Sequence, residues 1–147
     1  DATIYAHEDI TKQFGDTLPN QAVSAGESIT AEPFTLEFFG GEHAVIHPSM
    51  PVIANLGVLI NDSVYYPGDS FTNPSKPVKV LALPVTAPWL KISEVMDYLV
   101  DVKPGLAFPT HDAVASDFGK QLPDRMLPSF AESYGGSYQR IEGSIDI

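Results

Sequence analysis

"GVLINDSVYYPGDSF", Gly57 to Phe71, is the stretch on which the fold turns. An apolar run stops at Asn61-Asp62, and a second short run, Val64 to Tyr66, starts at once, which predicts a β-hairpin across the Asn-Asp pair. Tyr65 and Tyr66 then face opposite sides of the second strand. That strand meets Pro67-Gly68 and delivers Asp69 at the point where the backbone turns away. Taken alone, an aspartate after Pro-Gly is a turn residue that accepts hydrogen bonds from nearby backbone N–H groups. Any larger role depends on what else arrives at the same place.

Outward from the hairpin, the chain alternates strand and helix patterns. Upstream, Thr3–Ala6 reads as a short strand. "HEDITKQF" (7–14) reads as a helix with Glu8 and Asp9 in its first turn and Gly15 past its end. "NQAVSAGESI" (20–29) reads as a strand and a turn at Gly26, and "FTLEFFGGEHAVI" (34–46) as a strand broken at Gly40-Gly41. Downstream, "VKVLALPV" (78–85) has the near-continuous apolar character of a buried strand. "WLKISEVMDYLVDV" (89–102) has helical spacing, with Leu90, Val95, Leu99 and Val102 on one face and Asp97 and Asp101 on another. "GLAFPTHDA" (105–113) is a strand ending in His111, "PDRMLPSFAESYGG" (123–136) a helix closed by Gly135, and "SYQRIEGSIDI" (137–147) a last strand. Without repeats, low-complexity tracts or a linker, residues 1–147 read as a single domain of α/β (α+β) class.

Composition narrows the chemistry. The 147 residues are 44% apolar, enough for a real core. With 8 basic against 19 acidic residues the formal net charge is -11, which leaves no surplus of Lys and Arg for a phosphate backbone, so nucleic acid is not an expected partner. Cysteine is absent, so disulfides and thiolate ligands are excluded, and a metal must be held by His, Asp, Glu or backbone. The lack of cysteine fits a reducing cytoplasm. No basic segment with an apolar run opens the chain, and no run reaches the ~18 apolar residues of a membrane span.

Two polar groups besides Asp69 stand at strand ends: His43, after "LEFF" and the two glycines, and His111, after "LAF" and a Pro-Thr step. Strand ends in helix-covered sheets are where side chains converge without breaking the ladder. Two imidazoles and a carboxylate suit Zn, Mn or Fe, with an open position for water in a catalytic site.

"GVLINDSVYYPGDS" followed by "VKVLALPVTAPWLKISEVMDYLVDVKPGLAFPTHD" resembles the later part of a metallo-β-lactamase-fold metal-dependent hydrolase. The resemblance extends from about Phe34 to the end and more weakly back to Ala2. It implies an αββα sandwich, present here as its C-terminal part, with His43, Asp69 and His111 as metal ligands. It further implies Asp69 as the carboxylate that bridges two ions where two are bound. The superfamily's upstream His-x-His-x-Asp-His cluster is absent; "AHEDI" (6–10) has one histidine and lies at a helix start. The expectation is therefore a hydrolase of esters, amides or phosphodiesters in its complete form, with up to two Zn (or Mn/Fe) ions, and a chain inactive by itself.

Several residues carry alternatives. His47, four residues after His43, could serve the same motif, touch a small-molecule substrate or orient a ligand, and Asp112 reads as a turn acid or a partner of His111. His7 reads as a surface residue and Trp89 as a packing residue. A different class of function also fits: a non-catalytic interaction module whose apolar sheet face pairs with a partner. Either the missing N-terminal part or a second copy in a homodimer is the expected partner, because "VKVLAL" would otherwise lack a covering layer.

Overall fold

The structure, a computed structural model, describes residues 2–145. Its main feature is a seven-stranded sheet with neighbours in chain order: β3 (Ser28–Ala31), β4 (Phe34–Glu42), β5 (Ala54–Ile60), β6 (Val64–Tyr66), β7 (Val80–Pro84), β8 (Leu106–Thr110) and β9 (Ser137–Tyr138). The first four form an antiparallel meander, and from β6 onward every pairing is parallel. Parallel neighbours need crossovers. α2 (Ile92–Val102) supplies the one between β7 and β8, and α3 (Asp117–Glu132) the one between β8 and β9, while residues 67–79 join β6 to β7 as a loop. A smaller parallel pair, β1 (Ile4–Ala6) and β2 (Asn20–Ala22), is linked by α1 (Glu8–Phe14). No helix among the described residues is long and apolar enough to cross a membrane.

The predicted hairpin is present, with Asn61 and Asp62 both at positive φ as a tight turn demands. Tyr65 is fully buried and Tyr66 exposed, as alternation requires. α1 begins where its acidic first turn indicated, and His7 is its N-cap, accepting the Asp9 N–H at 3.3 Å.

Four expectations are corrected. β4 is not broken at Gly40-Gly41: pairing with β5 continues through Gly40↔Leu56 and Gly41↔Asn55, and a φ of 92° at Gly40 is absorbed because no Cβ presses on Thr72 Oγ1. α3 starts at Asp117, not Pro123, with Ser116 as N-cap accepting the Gly119 N–H at 3.1 Å. The last strand is only two residues long. Finally, β7 is not left uncovered, since all five of its residues are buried. Leu81 and Leu83 pack in one core with Val95 and Leu99 of α2 and Leu127 of α3. Exposed apolar residues lie elsewhere, among them Val45, Ile46, Met50, Val52 and Ile53 between β4 and β5 and Val114, Phe118 and Leu122 around the start of α3.

Direction is what positions the site. β4 and β6 are each antiparallel to β5, so they run the same way, and β7 and β8 run parallel to β6. The C-terminal ends of these four strands therefore share one edge. His43, Asp69, Thr86 and His111 each follow one of them within three residues.

Candidate functional site

Three of the side chains singled out in the sequence meet at this edge. His111 Nε2 lies 2.7 Å from Asp69 Oδ1, and His43 Nε2 lies 4.0 Å from the same oxygen. Each ring is oriented from behind by a backbone carbonyl: His111 Nδ1 donates to Thr86 O at 2.7 Å, and His43 Nδ1 to Ala44 O at 2.5 Å. A carbonyl only accepts, so both Nδ1 atoms carry protons and both Nε2 atoms are the ones aimed at the carboxylate.

The backbone that carries this carboxylate is itself held in place. Asn55 on β5 accepts the Asp69 N–H at 2.8 Å and donates to Pro67 O at 2.9 Å and Ser70 Oγ at 3.1 Å. Gly68, at φ 69°, passes so close to this amide that a Cβ would sit 2.3 Å from Asn55 Oδ1. The Asp69 carbonyl accepts the Ala44 N–H at 2.8 Å, tying the two strand ends together. Beside His43 a cleft of about 780 Å³ opens, walled by Phe71 and Trp89, with Thr72 and Glu42 also in its lining. Trp89 is buried and packs edge-on against Phe71 at 5.0 Å and His43 at 6.2 Å.

His111 is held above its ordinary imidazole pKa. Burial acts against the charged ring, but the Thr86 carbonyl and the Asp69 carboxylate together outweigh it.

The remaining two sequence candidates are placed differently. His47 is exposed, with Nδ1 2.7 Å from Ser49 Oγ, and is not among the groups around Asp69. Asp112 turns away from His111 and pairs with Arg140 at 2.7 Å. Asn55, Thr86 and Arg140 were not foreseen. Only Asn55 left a trace in the sequence, as the one polar residue inside the apolar run "VIANLGVLI".

The donor types fit a borderline metal ion, but the donor set is short. Among the described residues no group of three or more His, Asp or Glu side chains is arranged to hold a metal ion unaided.

No family model matches the sequence. Solved structures do match: a metallo hydrolase, Igni18, from the hyperthermophilic archaeon Ignicoccus hospitalis superposes with a TM-score of 0.67 at 16% identity, over 96% of this chain and 66% of its own. The metallo-β-lactamase-fold protein YhfI from Bacillus subtilis gives 0.59 at 17% identity, over 97% and 63%. CmlA, a diiron β-hydroxylase from Streptomyces venezuelae, gives 0.57 at 12% identity, over 90% and 35%. The chain has the metallo-β-lactamase fold, of which it forms the C-terminal part. In sequence it is 42% identical over 120 residues to Protein Rv0786c of Mycobacterium tuberculosis, covering 78% of this chain and 56% of that protein. The chain thus spans little more than half the length of this curated relative.

Proposed function

We propose that this chain is the C-terminal part of a metal-dependent hydrolase whose centre includes His43, Asp69 and His111. The observation that carries the reading is that two imidazole Nε2 atoms face one carboxylate oxygen while both Nδ1 atoms are fixed by carbonyls. A ring whose far nitrogen is fixed in this way has its tautomer and direction set for ligation. Asp69, oriented by Asn55, holds the centre and the nucleophile in register. When bound, one or two Zn, Mn or Fe ions supply a water of lowered pKa for attack on an ester, amide or phosphodiester. The missing donors come from polypeptide outside this chain, either an N-terminal part of the same protein or another copy. The substrate is a small molecule entering the cleft beside His43, and the cysteine-free composition fits a cytoplasmic setting.

The test uses the chain joined to, or mixed with, the polypeptide that completes the fold. Hydrolysis of a generic ester or phosphodiester that is lost in Asp69→Asn and His111→Ala, at unchanged melting temperature, supports the reading. Full metal content and activity in Asp69→Asn removes it.

A further inference from the structure

Outside the three-residue cluster, the guanidinium of Arg140 links two elements near the same edge. Arg140 follows β9, which runs parallel to β8, and the Gln139 N–H still pairs with Ala107 O at 3.0 Å. The parallel course carries Arg140 toward the same edge at which His111 leaves β8. There its guanidinium makes three bonds to two carboxylates: Nε to Asp124 Oδ2 at 2.8 Å, Nη2 to Asp124 Oδ1 at 3.1 Å, and Nη1 to Asp112 Oδ2 at 2.7 Å. Tyr138 adds a bond to Asp124 Oδ1 at 2.9 Å, so the fork is braced on α3 before it reaches Asp112.

Asp112 is the residue after His111, and His111 sits at φ 63°, in the left-handed region, which is uncommon for residues other than glycine. Such a conformation persists only where its surroundings hold it. On one side the holding contact is His111 Nδ1 to Thr86 O; on the other it is the Asp112 carboxylate, largely buried and bonded to Arg140. We infer that Arg140 is a positioning residue for the proposed centre: bound to α3 through Asp124, it fixes Asp112 and thereby the turn that aims the His111 imidazole at Asp69. This rests on the hydrolase reading only for the identity of what His111 binds. Arginine suits the task because its planar fork fixes direction as well as charge.

The experiment compares wild type with Arg140→Met, Arg140→Lys, Asp112→Asn and, as a remote core variant of comparable melting temperature, Val95→Ala. Two readouts are taken on the chain: proton exchange of the His111 Nδ1–H by NMR without metal, and Zn²⁺ affinity by calorimetry. In wild type the Nδ1–H is protected. Arg140→Met loses that protection and ~10–100-fold in Zn²⁺ affinity, the range for removing an outer partner of a ligating histidine. Asp112→Asn, which keeps the size of the side chain, shows the same change to a smaller degree, and Arg140→Lys restores part of it. Val95→Ala leaves both readouts near wild type despite its lower melting temperature. If wild type and all variants fail to bind Zn²⁺ but Arg140→Met still loses the protected proton, the positioning role stands and the metal reading falls. An unprotected Nδ1–H in wild type, a protected one in both Arg140→Met and Asp112→Asn, or equal losses in Val95→Ala would overturn the inference.

Discussion

Asp69 owes its position to Asn55 rather than to its own neighbours in the chain. The Asn55 amide closes the Pro67–Asp69 turn with three hydrogen bonds across 12 to 15 residues of sequence. Asn55→Ala leaves the Asp69 N–H without a partner and the Pro67 carbonyl with only the Ser70 hydroxyl, at 3.2 Å, so it should destabilise the chain by about 1–3 kcal/mol in urea unfolding. Asn55→Asp should do no better, because its second oxygen cannot donate to Pro67 and its charge lies beside Asp69. At His111, an NMR titration of the metal-free chain should place the midpoint above the ordinary imidazole value, and Asp69→Asn should lower it. The sign for stability follows: a raised folded-state pKa means that His111 stabilises the fold below its unfolded value of about 6.5 and that this contribution is lost as pH rises through the folded midpoint. A midpoint that does not move in Asp69→Asn would show that the 2.7 Å contact does not form in solution. Asp69 was legible as a special turn because Pro-Gly-Asp is a local signal. Asn55 and Thr86 were not, since each acts on a partner more than ten residues away.

The two crossover helices differ in how openly their sequences declare them. α2 spaces Val95, Leu99 and Val102 on one buried face, and the Glu94 carboxylate accepts the Lys91 N–H at 3.2 Å to close its first turn. Its face and its end at Val102 follow from pattern alone, while it starts at Ile92, three residues after the Trp89 at which the pattern began. α3 hides its first turn and a half behind Pro123, which removes a backbone donor and ordinarily ends a helix. Tertiary packing reverses that preference: Pro123, Leu127 and Ala131 stand four residues apart and are all buried, so the proline ring is part of the stripe that faces the sheet. α2 also steadies the loop that carries Asp69, because Tyr98 and Tyr65 both donate to the Thr72 carbonyl, at 2.7 and 3.0 Å. Tyr98→Phe keeps the ring in the core and leaves Thr72 with one donor, so the expected loss is only about 0.5–1.5 kcal/mol. Leu99→Ala, by contrast, empties a fully buried position and should cost about 2–5 kcal/mol in the same assay. Equal losses would mean that the Thr72 carbonyl, and not the apolar face, fixes α2 on the sheet.

At the scale of the molecule, apolar surface remains on the sheet face away from α2 and α3. β5 is apolar on both faces. Leu59 packs in the helix-covered core, while Leu56, Val58 and Ile60 look across the sheet to a groove of about 430 Å³ shared with Tyr5, Ala6, His7 and Ile10. The short β1–α1–β2 unit gives this second face only partial cover, for Leu56, Val58 and Ile60 are not fully buried. Next to it, five of the nine residues from Val45 to Ile53 are large, apolar and exposed. An αββα sandwich buries both faces of each sheet, so we propose that further polypeptide or another copy covers this surface. The chain by itself should therefore associate at micromolar concentration, with light scattering giving a mass above that of one copy. Its net charge of -11 opposes that association, and salt screens the repulsion, so the associated fraction should grow as ionic strength rises. Replacing Val45, Ile46 and Ile53 with Ser removes apolar area without touching the buried core, and should return the mass to that of a monomer. Mixing wild type with the polypeptide that completes the fold should also end self-association, by forming a single heterologous complex with the mass of one copy of each. A wild-type chain that stays monomeric across the micromolar range at high salt would show that the β1–α1–β2 unit suffices to shield this face, and that the sheet needs no partner.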